Sequence, residues 1–194
     1  MSIVILKYNA GNVQSVRYAL DRLGASYAVS SDPEIIRAAD KVIFPGVGEA
    51  STTMHFLKAQ RLDEVLRDLR QPVLGICLGM QLMCTHSEEN NTPCIGIFDA
   101  TVKRFETAPN YKVPHMGWNQ LEHIKGWMPP SVDNGYAYFV HSYYVPLLPF
   151  TVAQTNYKVE FSAALQKDNF YAVQFHPEKS DRLGEQVIQR FLEV

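Results

Sequence analysis

A cysteine stands between two glycines near the middle of the chain, in the stretch Gly75-Ile76-Cys77-Leu78-Gly79. This is the spacing of the G-x-S-x-G nucleophile elbow, with sulfur in place of oxygen. Glycines two residues before and after the nucleophile allow neighbouring backbone to pass close to a strained turn. Free N–H groups at the start of the following helix would favour a thiolate and a developing oxyanion. Cys77 is therefore a candidate nucleophile, and the alternative is a buried cysteine in a tight turn.

A cysteine nucleophile needs a base and a group that orients the base. Of the six histidines, His176 is the candidate, because it follows the apolar stretch 171–175 and begins the sequence His176-Pro177-Glu178. Proline favours extended backbone for the residue before it, and alternate residues of an extended segment point to the same side. Glu178 would therefore lie beside His176, hold its tautomer and stabilise the imidazolium. Taken alone, His-Pro-Glu is more often a surface turn, and it gains weight from the elbow cysteine.

The sequence Pro45-Gly46-Val47-Gly48 follows a buried strand and precedes a helix, as the elbow does. It should lie at the same edge of the sheet as Cys77, where its backbone N–H groups would face a substrate oxygen. It lacks the G-x-x-x-x-G-K-[ST] pattern of a phosphate-binding loop. An ordinary strand-to-helix turn is the alternative.

Strand and helix signals alternate through the first half of the chain. Apolar runs predict strands at 3–8, 25–30, 41–44 and 72–77. Helical spacing and capping residues predict helices at 12–23, from residue 33, at 49–70 in one or two pieces, and at 78–85. This order predicts an α/β fold with an open, mixed and mostly parallel central sheet flanked by helices.

The second half of the chain consists of short aromatic runs separated by Pro, Asn and Gly. These runs predict mixed or antiparallel strands at 137–145, 151–155 and 171–175. An apolar stripe predicts a final helix at 181–194. No internal repeat, low-complexity tract or linker interrupts the sequence, so residues 1–194 are expected to form one domain.

The composition argues against several classes of function. A net charge of −2 shows no basic excess for nucleic acid. No apolar run approaches the ~20 residues of a membrane span, and the first apolar run is too short for a signal peptide, so a cytoplasmic location is expected. Cys77, Cys84 and Cys94 contain no C-x-x-C pair, and no metal or other cofactor is expected. Cys84, on the predicted helix after Cys77, is expected to be a small buried hydrophobe.

Three motifs, PGVG, GICLGMQ and FHPE, occur together in this order. With this combination the sequence resembles the class I (triad) glutamine amidotransferases, which implies a flavodoxin-like sheet. The segments PHMGWN (114–119), YFVHSYY (138–144) and VQFHPEKS (173–180) resemble the glutaminase subunits of histidine biosynthesis. The segment KYNAGNVQSV also fits, although an acidic residue is more usual where Lys7 stands. The resemblance spans the whole chain and shows no departure at the triad positions.

The resemblance implies a reaction. Cys77 would attack the side-chain amide of L-glutamine to form a glutamyl thioester. Ammonia would leave with a proton from His176, and water activated by His176 would then release glutamate. Glu178 would orient the imidazole of His176.

Further site residues follow from the same resemblance. The backbone groups that would hold the oxyanion belong to Val47, Gly48 and Leu78. The resemblance also implies that the loop with Val47 and Gly48 can reorient on activation. The side chains expected to hold the polar groups of glutamine are those of Gln81, Ser142 and Tyr143.

Ammonia released into water would be protonated and lost, so the resemblance implies a partner that receives it through a closed passage. That partner is a (β/α)8 cyclase subunit, which adds ammonia to a phosphorylated ribulosyl intermediate. The products there would be imidazole glycerol phosphate and an aminoimidazole carboxamide ribonucleotide. The candidate contacts with the cyclase are Asn12, Tyr136, Tyr138 and Lys179. Each of these could equally be an ordinary surface or packed residue.

Other interpretations remain open at this point. A cysteine hydrolase or peptidase, or the glutaminase subunit of another amidotransferase complex, would share the elbow cysteine and the histidine. An inactive subunit that only positions a partner belongs to a different class. His141 is expected to be packed and hydrogen-bonded rather than in contact with substrate. His115, after Pro114, is expected to be a loop histidine, and a part in shaping the subunit interface is the alternative.

Overall fold

The computed structural model describes residues 1–9, 12–109 and 111–194, so Ala10 and Gly11 of the KYNAGNVQSV segment lie outside the described residues. The strands are β1 (Ile3–Leu6), β2 (Tyr27–Ser30), β3 (Lys41–Phe44), β4 (Val73–Ile76), β5 (Cys84–Ser87), β6 (Thr92–Pro93), β7 (Phe98–Arg104), β8 (His115–Gln120), β9 (Tyr136–His141), β10 (Tyr143–Tyr144), β11 (Thr151–Tyr157), β12 (Val159–Lys167) and β13 (Phe170–Val173). The helices are α1 (Val13–Arg22), α2 (Pro33–Ala38), α3 (Ala50–Ala59), α4 (Leu62–Asp68), α5 (Leu78–Leu82) and α6 (Asp181–Glu193). Short 3-10 turns cover Glu89–Asn91, Pro130–Val132 and Pro177–Lys179.

The seven-stranded sheet that carries the site has the order β11-β12-β13-β4-β3-β1-β2. Strands β2, β1, β3, β4 and β13 are parallel, whereas β12 and β11 pair antiparallel at one edge. The central strands β1, β3 and β4 are buried at every position, which explains their continuous apolar sequences. The predicted α/β fold with a mixed, mostly parallel sheet is confirmed.

Helices cover both faces of this sheet. On one face α1 and α6 bury Val16, Ala19, Leu20, Val187, Ile188 and Phe191. On the other face α2 to α5 bury Ile36, Met54, Leu57, Leu66 and Met80. The carboxyl ends of β1, β3, β4 and β13 meet at one edge, which is where open α/β sheets bind their ligands.

The predicted helix at 78–85 is wrong beyond Leu82. Cys84 begins β5, which pairs in parallel with β7 and antiparallel with β6. Cys84 therefore does not share a helical face with Cys77, although it is buried as expected. Helix α5 ends early because the backbone after it forms strand hydrogen bonds with β6 and β7, which follow later in the chain. The sequence around Cys84 alone does not predict this pairing.

The second half forms more strands than the aromatic runs predict. Strands β9, β11 and β13 confirm the three predicted regions, whereas β7, β8 and β12 have no counterpart in the sequence prediction. The expectation of a loop histidine at position 115 is wrong, because His115 begins β8 and is buried against β9. β12, at nine residues, contains Ser and Ala at its centre but is enclosed between β11 and β13. Within the described ranges, no helix has both the length and the apolar character needed to cross a membrane.

Candidate active site

The elbow at Cys77 joins β4 to α5. Cys77 has φ 52° and ψ −107°, which is a strained conformation for a residue with a side chain. A Cβ on Gly79 would lie 2.1 Å from the carbonyl oxygen of Phe44, and a Cβ on Gly75 would lie 2.8 Å from Met83 Sδ. Gly79 is therefore required, because α5 packs directly against the backbone at the end of β3, whereas a side chain at position 75 would first meet the flexible end of Met83.

His176 and Glu178 follow the end of β13. His176 Nδ1 lies 2.8 Å from Glu178 Oε1, and both side chains are buried. The backbone between them forms the 3-10 turn Pro177–Lys179, so the predicted extended segment is wrong although the two side chains meet. Proline fits the first position of such a turn. The turn is anchored by hydrogen bonds from His176 N–H to the Tyr138 carbonyl at 2.9 Å and from Ser180 Oγ to the His176 carbonyl at 2.7 Å.

Cys77 and Glu178 together set the protonation of His176. Burial lowers the pKa of His176, but the nearby Cys77 sulfur and the Glu178 carboxylate raise it more, so the pKa rises from 6.5 to about 10. His176 Nε2 is buried and has no hydrogen-bond partner among the residues that the structure describes. Because Nδ1 is bonded to Glu178, Nε2 is the nitrogen left to exchange a proton with Cys77 or with a group bound to its sulfur. An imidazolium beside a cysteine is the arrangement of an activated nucleophile.

The other two cysteines lie in different surroundings. Burial raises the pKa of Cys84, and burial raises the pKa of Cys94 to about 12. Neither lines the pocket beside Cys77. Their environments therefore favour unreactive thiols.

Asn12 belongs to this site, although the sequence assigned it to the partner surface. It follows the loop after β1 with φ 80°, and its side chain does not cap α1. Instead, Asn12 Nδ2 donates to Glu178 Oε1, the same oxygen that accepts from His176. Two donors thus hold this carboxylate. The signal that could have revealed Asn12 is its place after β1, at the sheet edge where the nucleophile also lies.

A pocket of 320 Å³ opens beside Cys77. It is lined by Val47, Gly48, Cys77, Leu78, Gln81, Glu89, Pro114, Val140, His141, Ser142 and Tyr143. The structure thus brings together every residue that the sequence nominated for oxyanion or glutamine binding. Glu89 was missed, because it lies in a polar loop without a motif. Burial raises the pKa of Glu89, and its Oε2 accepts from Ala50 N–H at 2.7 Å.

The side chain of Gln81 has a fixed orientation in this pocket. Its Nε2 donates to the Tyr143 carbonyl at 2.8 Å and to Gln174 Oε1 at 3.0 Å. Both N–H donors of the amide are therefore in use. Only the carbonyl oxygen of Gln81 remains for a ligand, so this side of the pocket offers a hydrogen-bond acceptor.

The backbone donor expected from Leu78 is already bonded. Leu78 N–H donates to the Gly46 carbonyl at 3.3 Å. The Tyr8 hydroxyl donates to the Pro45 carbonyl, and a Cβ on Gly46 would lie 2.7 Å from Gly79 N. The PGVG loop is thus packed against the elbow with a carbonyl turned toward the donor. In this arrangement a substrate oxygen has no access to the Leu78 N–H.

The remaining nominated residues lie on the outer face of the β8-β9 hairpin or beside it. Tyr136 is 57% exposed, and Met116 and Trp118 on the same face are 63% and 54% exposed. Tyr138 packs against Trp118 with ring centroids 6.0 Å apart. Lys179 is exposed in the turn that carries Glu178. Met116 and Trp118 extend the apolar surface beyond the residues that the sequence nominated.

Comparisons with known proteins identify the family. The family model "Glutamine amidotransferase class-I" matches residues 4–194. Imidazole glycerol phosphate synthase subunit HisH from a Bacteroides fragilis strain is 58% identical and covers 100% of both chains. The protein of the same name from Yersinia pseudotuberculosis is 46% identical over 100% of both chains.

Solved structures share the fold. A structure described as a glutamine amidotransferase superposes with a TM-score of 0.76 at 18% identity, over 98% of this chain and 97% of that chain. A putative GMP synthase protein from Thermoplasma acidophilum superposes with a TM-score of 0.73 at 18% identity, over 100% of this chain and 93% of that chain. Because the family model spans nearly the whole chain and close relatives match from end to end, the chain belongs to the class-I glutamine amidotransferase family.

Proposed function

We propose that this chain is the glutaminase subunit of an imidazole glycerol phosphate synthase, which hydrolyses L-glutamine and passes the ammonia to a cyclase subunit. The observation that carries the proposal is the geometry at the elbow, where His176, held by Glu178, lies beside the strained Cys77. The full-length identity to relatives named as HisH subunits supports the same activity.

In the first half of the reaction, the Cys77 sulfur attacks the amide carbon of glutamine. The C–S bond forms and the C–N bond breaks as the nitrogen takes a proton from His176 Nε2 and leaves as ammonia. The products of this step are a glutamyl thioester and a neutral imidazole. Glu178 accepts from Nδ1 and so keeps Nε2 directed at the reacting nitrogen.

In the second half, water attacks the thioester carbon. Water gives a proton to the Nε2 of neutral His176, the C–S bond breaks, and glutamate leaves. The imidazolium beside Cys77 is then restored. Glutamine and water supply all the atoms of glutamate and ammonia, so the two halves balance.

The rest of the glutamine molecule is held by other residues that line the pocket. The carbonyl oxygen of Gln81 and the carboxylate of Glu89 are acceptors suited to the α-ammonium group of the substrate. Ser142 and Tyr143 supply further polar groups from the segment after β9. With the rest of glutamine bound in this way, its side-chain amide can be placed at Cys77 and His176.

The oxyanion needs a hydrogen-bond donor, but the Leu78 N–H already donates to the Gly46 carbonyl. Turning the peptide between Gly46 and Val47 would move the Gly46 carbonyl away, free the Leu78 N–H and bring the Val47 N–H toward the pocket. Such a donor contributes about 2.7–4 kcal/mol to transition-state stabilisation in other acyl-transfer enzymes. The isolated chain should therefore hydrolyse glutamine slowly and be activated when its partner shifts this loop.

The partner surface is the outer face of the β8-β9 hairpin together with Lys179. The apolar side chains of Trp118, Tyr136 and Tyr138 form its centre, and aromatic residues are enriched at such interfaces. Its occupant is the (β/α)8 cyclase, in a one-to-one complex. Asn12 reaches this edge but contacts Glu178, so its main role is to orient the carboxylate. We place the complex in the cytoplasm, since all three cysteines are free thiols, and we treat residues 1–194 as one domain.

The competing functions share the elbow and differ from the proposed function in the pocket, the partner surface or the need for a nucleophile. A cysteine peptidase needs an open groove for an extended chain, whereas this pocket offers acceptors to a small amino acid. The glutaminase subunit of another amidotransferase complex would share the pocket and differ in the partner surface. An inactive binding subunit would not need a strained nucleophile with an oriented imidazole.

The test measures ammonia release from glutamine by the purified chain, alone and with cyclase and its nucleotide ligand. We expect a low basal rate that rises when both are added. Cys77→Ala should abolish glutamine-dependent synthesis by the complex and spare synthesis from added ammonia. Peptide cleavage without glutamine turnover, or full glutamine-dependent synthesis by Cys77→Ala, would contradict the proposal.

A further inference from the structure

His115 and His141 stand directly opposite each other on β8 and β9. Nδ1 of His115 lies 3.0 Å from Nε2 of His141, and both side chains are buried. Tyr157 stacks on His115 with ring centroids 4.0 Å apart, and Phe105 lies 5.4 Å from His141. Neither imidazole takes part in the reaction steps above. Two buried imidazoles nevertheless require hydrogen-bond partners, and these partners lead to the pocket.

The groups at both ends of the pair determine where its protons lie. His141 Nδ1 lies 2.7 Å from the Tyr143 carbonyl, which can only accept, so Nδ1 carries the proton and Nε2 accepts. His115 must then donate from Nδ1, and its Nε2 faces Asn119 Nδ2 at 3.4 Å. The Asn119 amide is oriented by backbone, since its Oδ1 accepts from the next N–H and its Nδ2 donates to the Asn156 carbonyl. Each imidazole is therefore a neutral ring with its proton on Nδ1.

A further proton on either ring would break this chain. On His141 Nε2 it would face the Nδ1–H of His115, and on His115 Nε2 it would face the amide protons of Asn119. Burial acts in the same direction, since it lowers the pKa of His115 to about 4 and that of His141 to about 3. The pair therefore stays neutral at physiological pH.

The chain of hydrogen bonds continues into the glutamine pocket. The Tyr143 carbonyl accepts from both His141 and Gln81. Gln81 also donates to Gln174, whose Nε2 lies 3.7 Å from the Cys77 sulfur. If the Tyr143 carbonyl turned away, Gln81 would lose one of the two acceptors that hold its oxygen toward the pocket. The amide could then rotate and present N–H to a ligand instead.

We propose that His115 and His141 are positioning residues for glutamine recognition, which act through the Tyr143 carbonyl to hold the oxygen of Gln81 toward the α-ammonium group of the substrate. This role rests on the proposed function of the chain. It predicts a specific kinetic signature, because the ammonium group is distant from the amide that reacts. Loss of the pair should weaken the binding of glutamine and leave the chemistry at Cys77 unchanged.

The experiment compares glutamine with 4-carbamoylbutanoate, which keeps the amide and the carboxylate but lacks the α-amino group. Hydrolysis is measured for the complex with cyclase, using wild type, His115→Phe and His115→Asn. Phenylalanine keeps a ring and removes the donor, whereas asparagine places an N–H near the position of Nδ1. The matched control is Phe105→Leu, which changes the aromatic packing around both rings and leaves the hydrogen bonds in place.

We expect His115→Phe to raise the KM for glutamine about 10-fold with little change in kcat, because the contact with the ammonium group is the same in the ground and transition states. The kinetics with 4-carbamoylbutanoate should stay within about 2-fold of wild type. His115→Asn should restore most of the preference for glutamine, and Phe105→Leu should keep all of it. Equal losses for both substrates in His115→Phe, or unchanged glutamine kinetics, would overturn the proposal.

Nitrogen NMR of the wild-type complex with labelled histidine tests the proton positions without catalysis. We expect His115 and His141 to be neutral Nδ1–H tautomers between about pH 6 and 8. An imidazolium or an Nε2–H tautomer in either ring would overturn the positioning role even if His115→Phe failed to fold. A wild-type complex that releases no ammonia from glutamine would refute the proposed function. An active complex whose variants all behave alike would refute only the positioning role of the histidine pair.

Discussion

Gly79→Ala tests how the fold positions the nucleophile. The added Cβ would lie 2.1 Å from the Phe44 carbonyl oxygen, whereas ordinary contact begins at 3.4 Å. The flexible end of a side chain could yield, but this oxygen is backbone at the end of β3 in the middle of the sheet. The start of α5 must therefore move away from β3 by roughly 1 Å, since the interior around it is close-packed.

This displacement has two expected consequences. Overpacking of this kind typically costs about 1–3 kcal/mol of stability. Because Cys77 directly precedes α5, its sulfur moves relative to His176, and a misplacement of about 1 Å can lower the rate about 100-fold. We therefore expect kcat for glutamine hydrolysis by the complex to fall about 100-fold while most of the protein remains folded at 25 °C.

The assay combines steady-state ammonia release with urea unfolding. The matched control is Gly24→Ala, at the C-terminal end of α1, where φ is +66° and a Cβ would meet nothing within 4 Å. That change carries backbone strain of about 1–2 kcal/mol without a collision, so it should destabilise the chain and leave kcat unchanged. If Gly79→Ala kept wild-type kcat, or if both variants lost activity in proportion to stability, the reasoning about this contact would be refuted.

Other changes probe the surroundings of His176 and the buried imidazoles. Asn12→Ala removes a hydrogen-bond donor to the Glu178 carboxylate and should lower kcat about 10-fold. Asn12→Asp places a second negative charge beside Glu178 and should lower kcat further. Equal rates of ammonia release by the two variants would contradict this expectation. Gly184→Ala places a Cβ 1.8 Å from the Pro177 carbonyl oxygen, so urea unfolding should show a loss of about 1–3 kcal/mol together with a lower kcat, and wild-type values for both would count against the role of this contact. Burial lowers the pKa values of His115 and His141 below the usual imidazole pKa of 6.5, so between these values the unfolded chain binds more protons than the folded chain. The free energy of unfolding should therefore be lower at pH 5 than above pH 6.5, by about 2 kcal/mol per ring. Replacing both rings of that pair with phenylalanine should flatten this decline in urea unfolding, and an unchanged decline would show that other groups cause it.

Much of the site could be predicted from the sequence because its signals are local. The strand Lys41–Phe44 has the same bounds in the prediction and in the structure, since its three consecutive apolar residues after Lys41 are typical of a buried parallel strand. The glycines around Cys77 marked a turn with close backbone contact, and the structure contains that contact. His176 and Glu178 were paired correctly by residue type, although a 3-10 turn rather than extended backbone brings them together.

The features that escaped prediction depend on contacts between distant parts of the chain. Strand β5 takes its partners from β6 and β7, so nothing within Cys84–Ser87 itself could end the predicted helix. Glu89 and Asn12 enter the site only because the fold brings their loops to the edge where Cys77 lies. The hydrogen bond from Leu78 N–H to the Gly46 carbonyl depends on the orientation of one peptide, which residue types do not encode.

The central claim is that Cys77, activated by His176, is the nucleophile toward glutamine. It is tested most directly with a glutamine analogue in which a diazoketone replaces the amide, incubated with the chain and its cyclase, followed by mass spectrometry to locate the alkylated sulfur. We predict a single adduct on Cys77, formed more slowly when glutamine is added and suppressed in His176→Asn. An adduct on Cys84 or Cys94 with Cys77 unmodified, or labelling of Cys77 that glutamine does not slow, would contradict the claim.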